Sequence, residues 1–167
     1  MADSPIDGRF DLVDHHGQHV TEQTYRGRWM LVYFGFTNCR SVCPRTLTKL
    51  TDSLERLGEL SDRIAPLYIT VDPERDTPEV MRIFLENRFP RFTGLTGSDE
   101  RVTAAKAAYR VFSQRGQDPA DPDGYAVPHS AITYLVDPDG HYVDHFVDTA
   151  DAEAIADRVR ARLESAQ

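Results

Sequence analysis

Eight consecutive residues, Trp29-Met30-Leu31-Val32-Tyr33-Phe34-Gly35-Phe36, carry no charge. A strand with one wet face alternates apolar and polar residues, whereas an unbroken apolar run marks a strand covered on both faces, as at the centre of a parallel sheet. Parallel neighbours require crossover connections, usually helices. The following sequence supplies them. From Pro44, Leu47, Leu50, Leu54 and Leu57 recur at spacings of three and four, which predicts an amphipathic helix ending near Gly58. Residues 65–71 read as a second central strand. Thr77-Pro78-Glu79 then opens a helix with a hydroxyl cap, a proline in its first turn and an early acid, and Val80, Ile83 and Phe84 are its apolar residues.

The pattern predicts a third helix over 99–111, capped by Ser98, with Val102, Ala105 and Tyr109 on one face. Residues 129–136 and 141–147 flank the turn Pro138-Asp139-Gly140 and read as an antiparallel hairpin, and 152–163 as a closing helix. Before the central run, residues 10–14 and 19–20 form a hairpin about Gly17. The order β-β-β-α-β-α-α-β-β-α implies an α/β fold: a central mixed sheet flanked by helices, with an N-terminal β-hairpin. A chain of 167 residues without repeats or an interdomain linker is expected to be one domain spanning 1–167.

Nineteen Lys and Arg against 27 Asp and Glu leave a net charge of −8, so a polyanion would bind against the protein's own field and nucleic acid is not an expected partner. No apolar run reaches membrane-spanning length, and the first residues lack a basic segment followed by an apolar one, so the chain as it stands is expected to be soluble.

Only two cysteines occur, and their placement carries the information. Cys39 and Cys43 stand four apart, where the central strand gives way to the first long helix. In a first helical turn, residues i and i+4 share a face with Cβ atoms about 5–6 Å apart. That spacing suits a disulfide after small adjustment, and equally two thiolates on one metal ion. The helix start favours thiolate over thiol. Two sulfurs leave a metal under-coordinated, and His129, opening the strand before the Asp-Gly turn, is the candidate third ligand. Two thiolates with one imidazole suit Cu(I) and also accept Cu(II) or Zn(II). A thiol-disulfide oxidoreductase needs no histidine and usually separates its cysteines by two residues, not three. A peroxidase would need a peroxide pocket, for which the sequence offers no signal.

The blocks Val32-Tyr33-Phe34-Gly35-Phe36-Thr37-Asn38-Cys39-Arg40-Ser41-Val42-Cys43-Pro44, Val71-Asp72-Pro73-Glu74-Arg75-Asp76-Thr77-Pro78 and His129-Ser130-Ala131-Ile132-Thr133-Tyr134-Leu135-Val136-Asp137-Pro138-Asp139-Gly140 resemble, in this order, the Sco/SenC family. The resemblance implies a thioredoxin-like fold, copper as Cu(I) or Cu(II) held by Cys39, Cys43 and His129, and a part in assembling the CuA centre of cytochrome c oxidase. The CuA subunit and another copper chaperone are the implied partners of a monomer. The family is usually tethered to a membrane on its extracytoplasmic side, so the chain resembles the soluble part, with the anchor or leader absent. If the protein works instead as an oxidoreductase, Cys39 and Cys43 are its redox pair and keep the CuA cysteines reduced. Two departures from the family pattern involve three positions. Arg40 and Ser41 replace the usual Pro-Asp, removing a carboxylate and adding a cation, which lowers the thiolate pKa. Pro128 replaces the usual Asp before the histidine.

Elsewhere, 72–76 read as capping and ion-pairing residues ahead of the next helix, with Asp72 the member that has a functional alternative. His15-His16-Gly17-Gln18-His19 reads as a solvated turn, His141 and His145 as surface residues, and Arg158, Arg160 and Arg162 as a solvated helix face.

Overall fold

The structure is a computed structural model describing residues 8–35, 42–109, 132–147 and 150–165. Seven strands form one sheet in the order β2-β1-β5-β4-β3-β6-β7. They are β1 (Asp11–Asp14), β2 (His19–Thr21), β3 (Trp29–Gly35), β4 (Ile64–Thr70), β5 (Thr93–Thr96), β6 (Thr133–Val136) and β7 (Tyr142–Phe146), with helices α1 (Val42–Leu57), α2 (Pro78–Arg88), α3 (Asp99–Ala108) and α4 (Ala152–Ser165). The uncharged run is β3, buried at every position and central to the sheet.

Parallel pairing joins β3 to β4 and β4 to β5, and antiparallel pairing joins β6 to β3 and β7 to β6. Two successive right-handed crossovers running the same way place both their helices on one face. Accordingly Leu47, Leu50 and Leu54 of α1 share a core with Met81 and Leu85 of α2, and with Ile155, Val159 and Leu163 of α4. The chain then turns back across the sheet, and Val102, Ala105 and Tyr109 at α3 pack on the other face with Phe10, Leu12 and Val20 of the hairpin region. Strand β3 serves both cores by alternation. Trp29, Leu31 and Tyr33 point to one, and Met30, Val32 and Phe34 to the other.

The caps form as expected: Thr77 Oγ1 accepts the Val80 N–H at 3.3 Å and Ser98 Oγ that of Arg101 at 3.2 Å. Two expectations are corrected. Strand β5 has no counterpart in the sequence reading, because its four residues include a glycine and lack β periodicity; it exists because β4 and β1 pair with it on either side. The hairpin β1–β2 therefore extends the sheet, with Val13 opposite Thr96 and Asp14 opposite Leu95. Helix α2 buries Met81 and Leu85, while Val80 and Ile83 are exposed. The α4 arginines lie on a solvent-facing side of the helix, as expected, and still make contacts: Arg158 pairs with Asp144 at 2.5 Å and lies 4.8 Å over the Phe146 ring, and Arg160 donates to the Arg56 carbonyl at 2.9 Å.

Gly94 explains the set of α2. A Cβ there would lie 2.8 Å from Leu85 Cδ1, 2.9 Å from Met81 Cε and 3.3 Å from Met81 Cβ, so the helix seats against β5 only because that position is bare. Gly94→Ala is expected to destabilise by about 1–2 kcal/mol, an overpacking cost of ~1–3 less the ~0.4–1 gained by stiffening the unfolded chain. Urea unfolding measures this, and an unchanged midpoint would refute the close approach.

Candidate metal centre

Strand β3 is where the chain's path across the sheet divides, with β4 and β5 to one side and β6 and β7 to the other. In α/β sheets the crevice beyond the carboxyl ends of the strands, at such a division, is the usual ligand site. Six residues, 36–41, link the end of β3 to α1, and Cys43 falls in the first turn of α1. Its proline neighbour, Pro44, is tolerated there because a first-turn N–H has no intrahelical acceptor. That turn carries no acidic residue to oppose a thiolate at the positive end of the helix.

Tyr33 pairs with Thr133 in antiparallel register, so β6 begins where β3 ends. His129 stands three residues before Ile132, a reach of roughly 10 Å at full extension. Cys39, His129 and the departures Arg40, Ser41 and Pro128 lie outside the described residues, as does the Cys43 side chain. The elements bracketing all three expected ligands meet at one end of the sheet. Beneath that end, the Phe34 ring packs 5.4 Å from Tyr109 and 6.5 Å from Tyr134. Burial pushes the Tyr134 hydroxyl up to about 12, so this wall is uncharged at neutral pH.

The turn after β4 arrives at the same end. The last rung between the strands is the Val71 N–H to the Gly35 carbonyl, at 2.8 Å. One residue on, Asp72 is completely buried. Its Oδ2 pairs with Arg75 Nε, while its Oδ1 has no hydrogen-bond partner among the described residues. Asp76, also completely buried, accepts the Thr70 hydroxyl at 2.7 Å. Of Asp76 and Thr77, the two expected caps, Thr77 takes the role, and Arg75 pairs with an acid as expected. Asp76 bonds Thr70 instead, which no periodicity signals between residues six apart.

Two other clusters among the described residues bring possible ligand atoms together: His15, His16 and Glu86, and Asp137, Asp139 and His141. The first lies at the opposite end of the sheet, where β1 meets the start of β5. His15 is not solvated, as the turn reading expected, but 8% exposed. The Gly94 N–H donates to its Nδ1 at 2.9 Å. The neutral ring therefore carries its proton on Nε2 and offers a metal no lone pair there. In the second cluster, Asp137 Oδ1 accepts the N–H groups of Asp139 and His141 at 3.0 and 2.9 Å, which is turn chemistry closing the β6–β7 hairpin. His141 is exposed, and exposed His145 bonds through Nδ1 to the Tyr142 hydroxyl, in keeping with their reading as surface residues.

A model of the SCO1/SenC family matches residues 1–164. The chain belongs to the SCO1/SenC family. It is 41% identical over 161 residues to the Danio rerio protein SCO2 homolog, mitochondrial, covering 95% of this chain and 57% of that protein. It is 40% identical over 141 residues to a SCO2-like protein of Rickettsia prowazekii (strain Madrid E), covering 84% of this chain and 69% of that one. The chain thus spans little more than half the length of the zebrafish relative. The crystal structure of Arabidopsis thaliana ScoI with copper bound superposes with a TM-score of 0.87 at 33% identity, over 96% of this chain and 99% of that one. Yeast Sco1 with copper bound gives 0.84 at 33%, over 98% and 96%. The fold is thioredoxin-like, as the motifs implied.

His15 carries a pH dependence at the far end. Burial, then His16, lower its pKa below 6.5, and Arg82 adds to this against the opposing Asp14 and Glu86. The unfolded chain then binds the proton more readily. This contribution to stability is complete above pH 6.5 and is lost as pH falls from there through the lowered folded value. Unfolding midpoints measured from pH 7.5 to 5 should fall more steeply in wild type than in His15→Asn, and parallel curves would refute the Gly94 bond.

Proposed function

We propose that this protein is a copper metallochaperone in which Cys39 and Cys43 hold Cu(I) and His129 completes the site. The observation that carries the reading is the likeness, over nearly the whole chain, to solved Sco structures with copper bound. The donor set fits the ion. Thiolates are soft ligands suited to Cu(I), and imidazole serves both copper oxidation states. The start of α1 stabilises the thiolates, and a net charge of −8 draws cations toward the protein. The orphaned Oδ1 of Asp72 supplies a harder oxygen at the same end of the sheet. A buried carboxylate oxygen without a donor costs about 1–3 kcal/mol, and an ion close by gives it a reason to persist.

Copper is the cargo, passed by exchange of thiolate ligands from a donor chaperone and on to the CuA subunit of cytochrome c oxidase. We further propose a single domain working as a monomer on the extracytoplasmic side of a membrane. Relatives named as mitochondrial support that location, and among the described residues no helix is long and apolar enough to cross a membrane. Oxidation of Cys39 and Cys43 to a disulfide by an external two-electron oxidant, which takes up both electrons, would remove both soft ligands together and release the ion.

The test is an anaerobic Cu(I) titration of the reduced protein against a chromophoric chelator. One equivalent is expected to bind tightly, Cys39→Ser or Cys43→Ser to abolish this, and His129→Ala to weaken it and alter the Cu(II) spectrum. Stoichiometric oxidation with diamide should release the ion. Weak binding indifferent to all three residues would replace this reading with that of a dithiol reductase keeping the CuA cysteines reduced.

A further inference from the structure

At the amino end of β3, away from the cysteine loop, the sheet edge encloses an open cavity of ≈ 430 Å³. The pairing register puts it there. Trp29 stands opposite Ile64 and Met30 opposite Val136, so the start of β3, the entry to β4 and the exit of β6 converge. Arg63 ends the 3-10 helix Gly58–Arg63 just before β4, and Arg162 lies in the last turn of α4. Both line the cavity, with Trp29, Pro138 and Val143 as its apolar wall. A volume of this size with an apolar wall and a few convergent polar groups has the form of a small-molecule site.

Hydrogen-bond donors at this end outnumber the acceptors left for them. Arg63 is half-buried and has no ion-pair partner among the described residues. Arg162 reaches Asp144 only through Nε, at 3.5 Å, while Arg158 takes the other carboxylate oxygen at 2.5 Å. Trp29 is 3% exposed, and its indole nitrogen has no acceptor among the described residues. The acids of the turn do not balance this. Asp137 Oδ1 already accepts the Asp139 and His141 N–H groups, and its Oδ2 lies 3.5 Å from His141 Nδ1. Asp139 is exposed, and the guanidinium of Arg26 lies against Gly140 beside it. On a chain with a net charge of −8, this is a local excess of guanidinium groups.

We propose that this cavity binds an organic carboxylate with an apolar body. The guanidinium groups of Arg63 and Arg162 take the carboxylate, a planar acceptor that matches their fork of donors. Trp29, Pro138 and Val143 cover the apolar part. A free carboxylic acid and the carboxyl terminus of a peptide share this chemistry. The site is independent of the proposed copper ligands.

The experiment titrates the full-length, copper-free, reduced protein with hexanoate and with N-acetyl-leucine, the second standing for a peptide terminus. Hexanamide and hexylamine are the uncharged and cationic controls. Trp29 is the only tryptophan, so its emission reports on the cavity directly, and calorimetry gives the affinity. One carboxylate is expected to bind saturably at one equivalent and to change the emission, with neither control doing so. Arg63→Met, which keeps the apolar stem, should weaken binding about 10- to 100-fold, the worth of a hydrogen bond to a charged group. Arg82→Met, on the exposed side of α2, should leave it unchanged. Should Arg63→Met fail to fold by circular dichroism, Arg162→Met is read in its place. A preference for hexanoate supports a free acid as the ligand, and a preference for N-acetyl-leucine a peptide terminus. No saturable response to either carboxylate would overturn the proposal, as would an equal response to hexylamine or undiminished affinity in both arginine variants.

Discussion

Everything in this molecule is arranged about one strand that has no wet face. Burying β3 on both sides requires a core above and a core below, and the crossovers provide them. Helices α1, α2 and α4 cover one face and α3 the other. Completing the paired neighbours of β3 then forces the carboxyl ends of β3 and β4, and the amino end of β6, to one edge of the sheet. Site placement is thus a by-product of core formation. Loops leaving this edge open onto the crevice where α/β sheets usually bind their ligands.

The two ends of the sheet make opposite use of polar burial. At the far end, His15 is buried with its Nδ1 satisfied by the Gly94 N–H, and the interaction fastens the β1–β2 turn to the start of β5. Gly94 does double duty there, since its missing side chain also admits Met81 and Leu85 of α2. At the other end Asp72 is buried with one oxygen unsatisfied. There Thr70 and Asp76 bond to each other, while Asp72 Oδ1 has no hydrogen-bond partner among the described residues, at a cost of about 1–3 kcal/mol.

Much of this was legible in the residues themselves. The uncharged run, the leucine spacing from Leu47 to Leu57, and the caps at Thr77 and Ser98 each correspond to a physical requirement local in sequence, and each element formed where expected. What escaped were features decided by distant partners. Strand β5 has too few residues and too weak a pattern to declare itself; pairing with β4 and β1 creates it. The buried face of α2 rotated from Val80 and Ile83 to Met81 and Leu85 because Gly94, thirteen positions beyond Met81, opens space only there. His15 looked like part of a wet turn until Gly94 supplied a donor from 79 residues away. At the candidate site, the reading of Cys39 and Cys43 as i and i+4 of one helical turn is untested, because α1 begins at Val42 and Cys39 lies outside the described residues. The Thr70–Asp76 bond was not legible, because a turn of irregular backbone has no period to betray it.

The copper reading gains a physical shape from the two loops that meet at this end. The loop after β3 leads in sequence through Cys39 to Cys43 at the start of α1, and the turn after β4 carries the buried Asp72 carboxylate. The parallel ladder from Trp29 opposite Ile64 to Gly35 opposite Thr70, extended by the Val71 N–H to the Gly35 carbonyl, ties together the strands from which they spring.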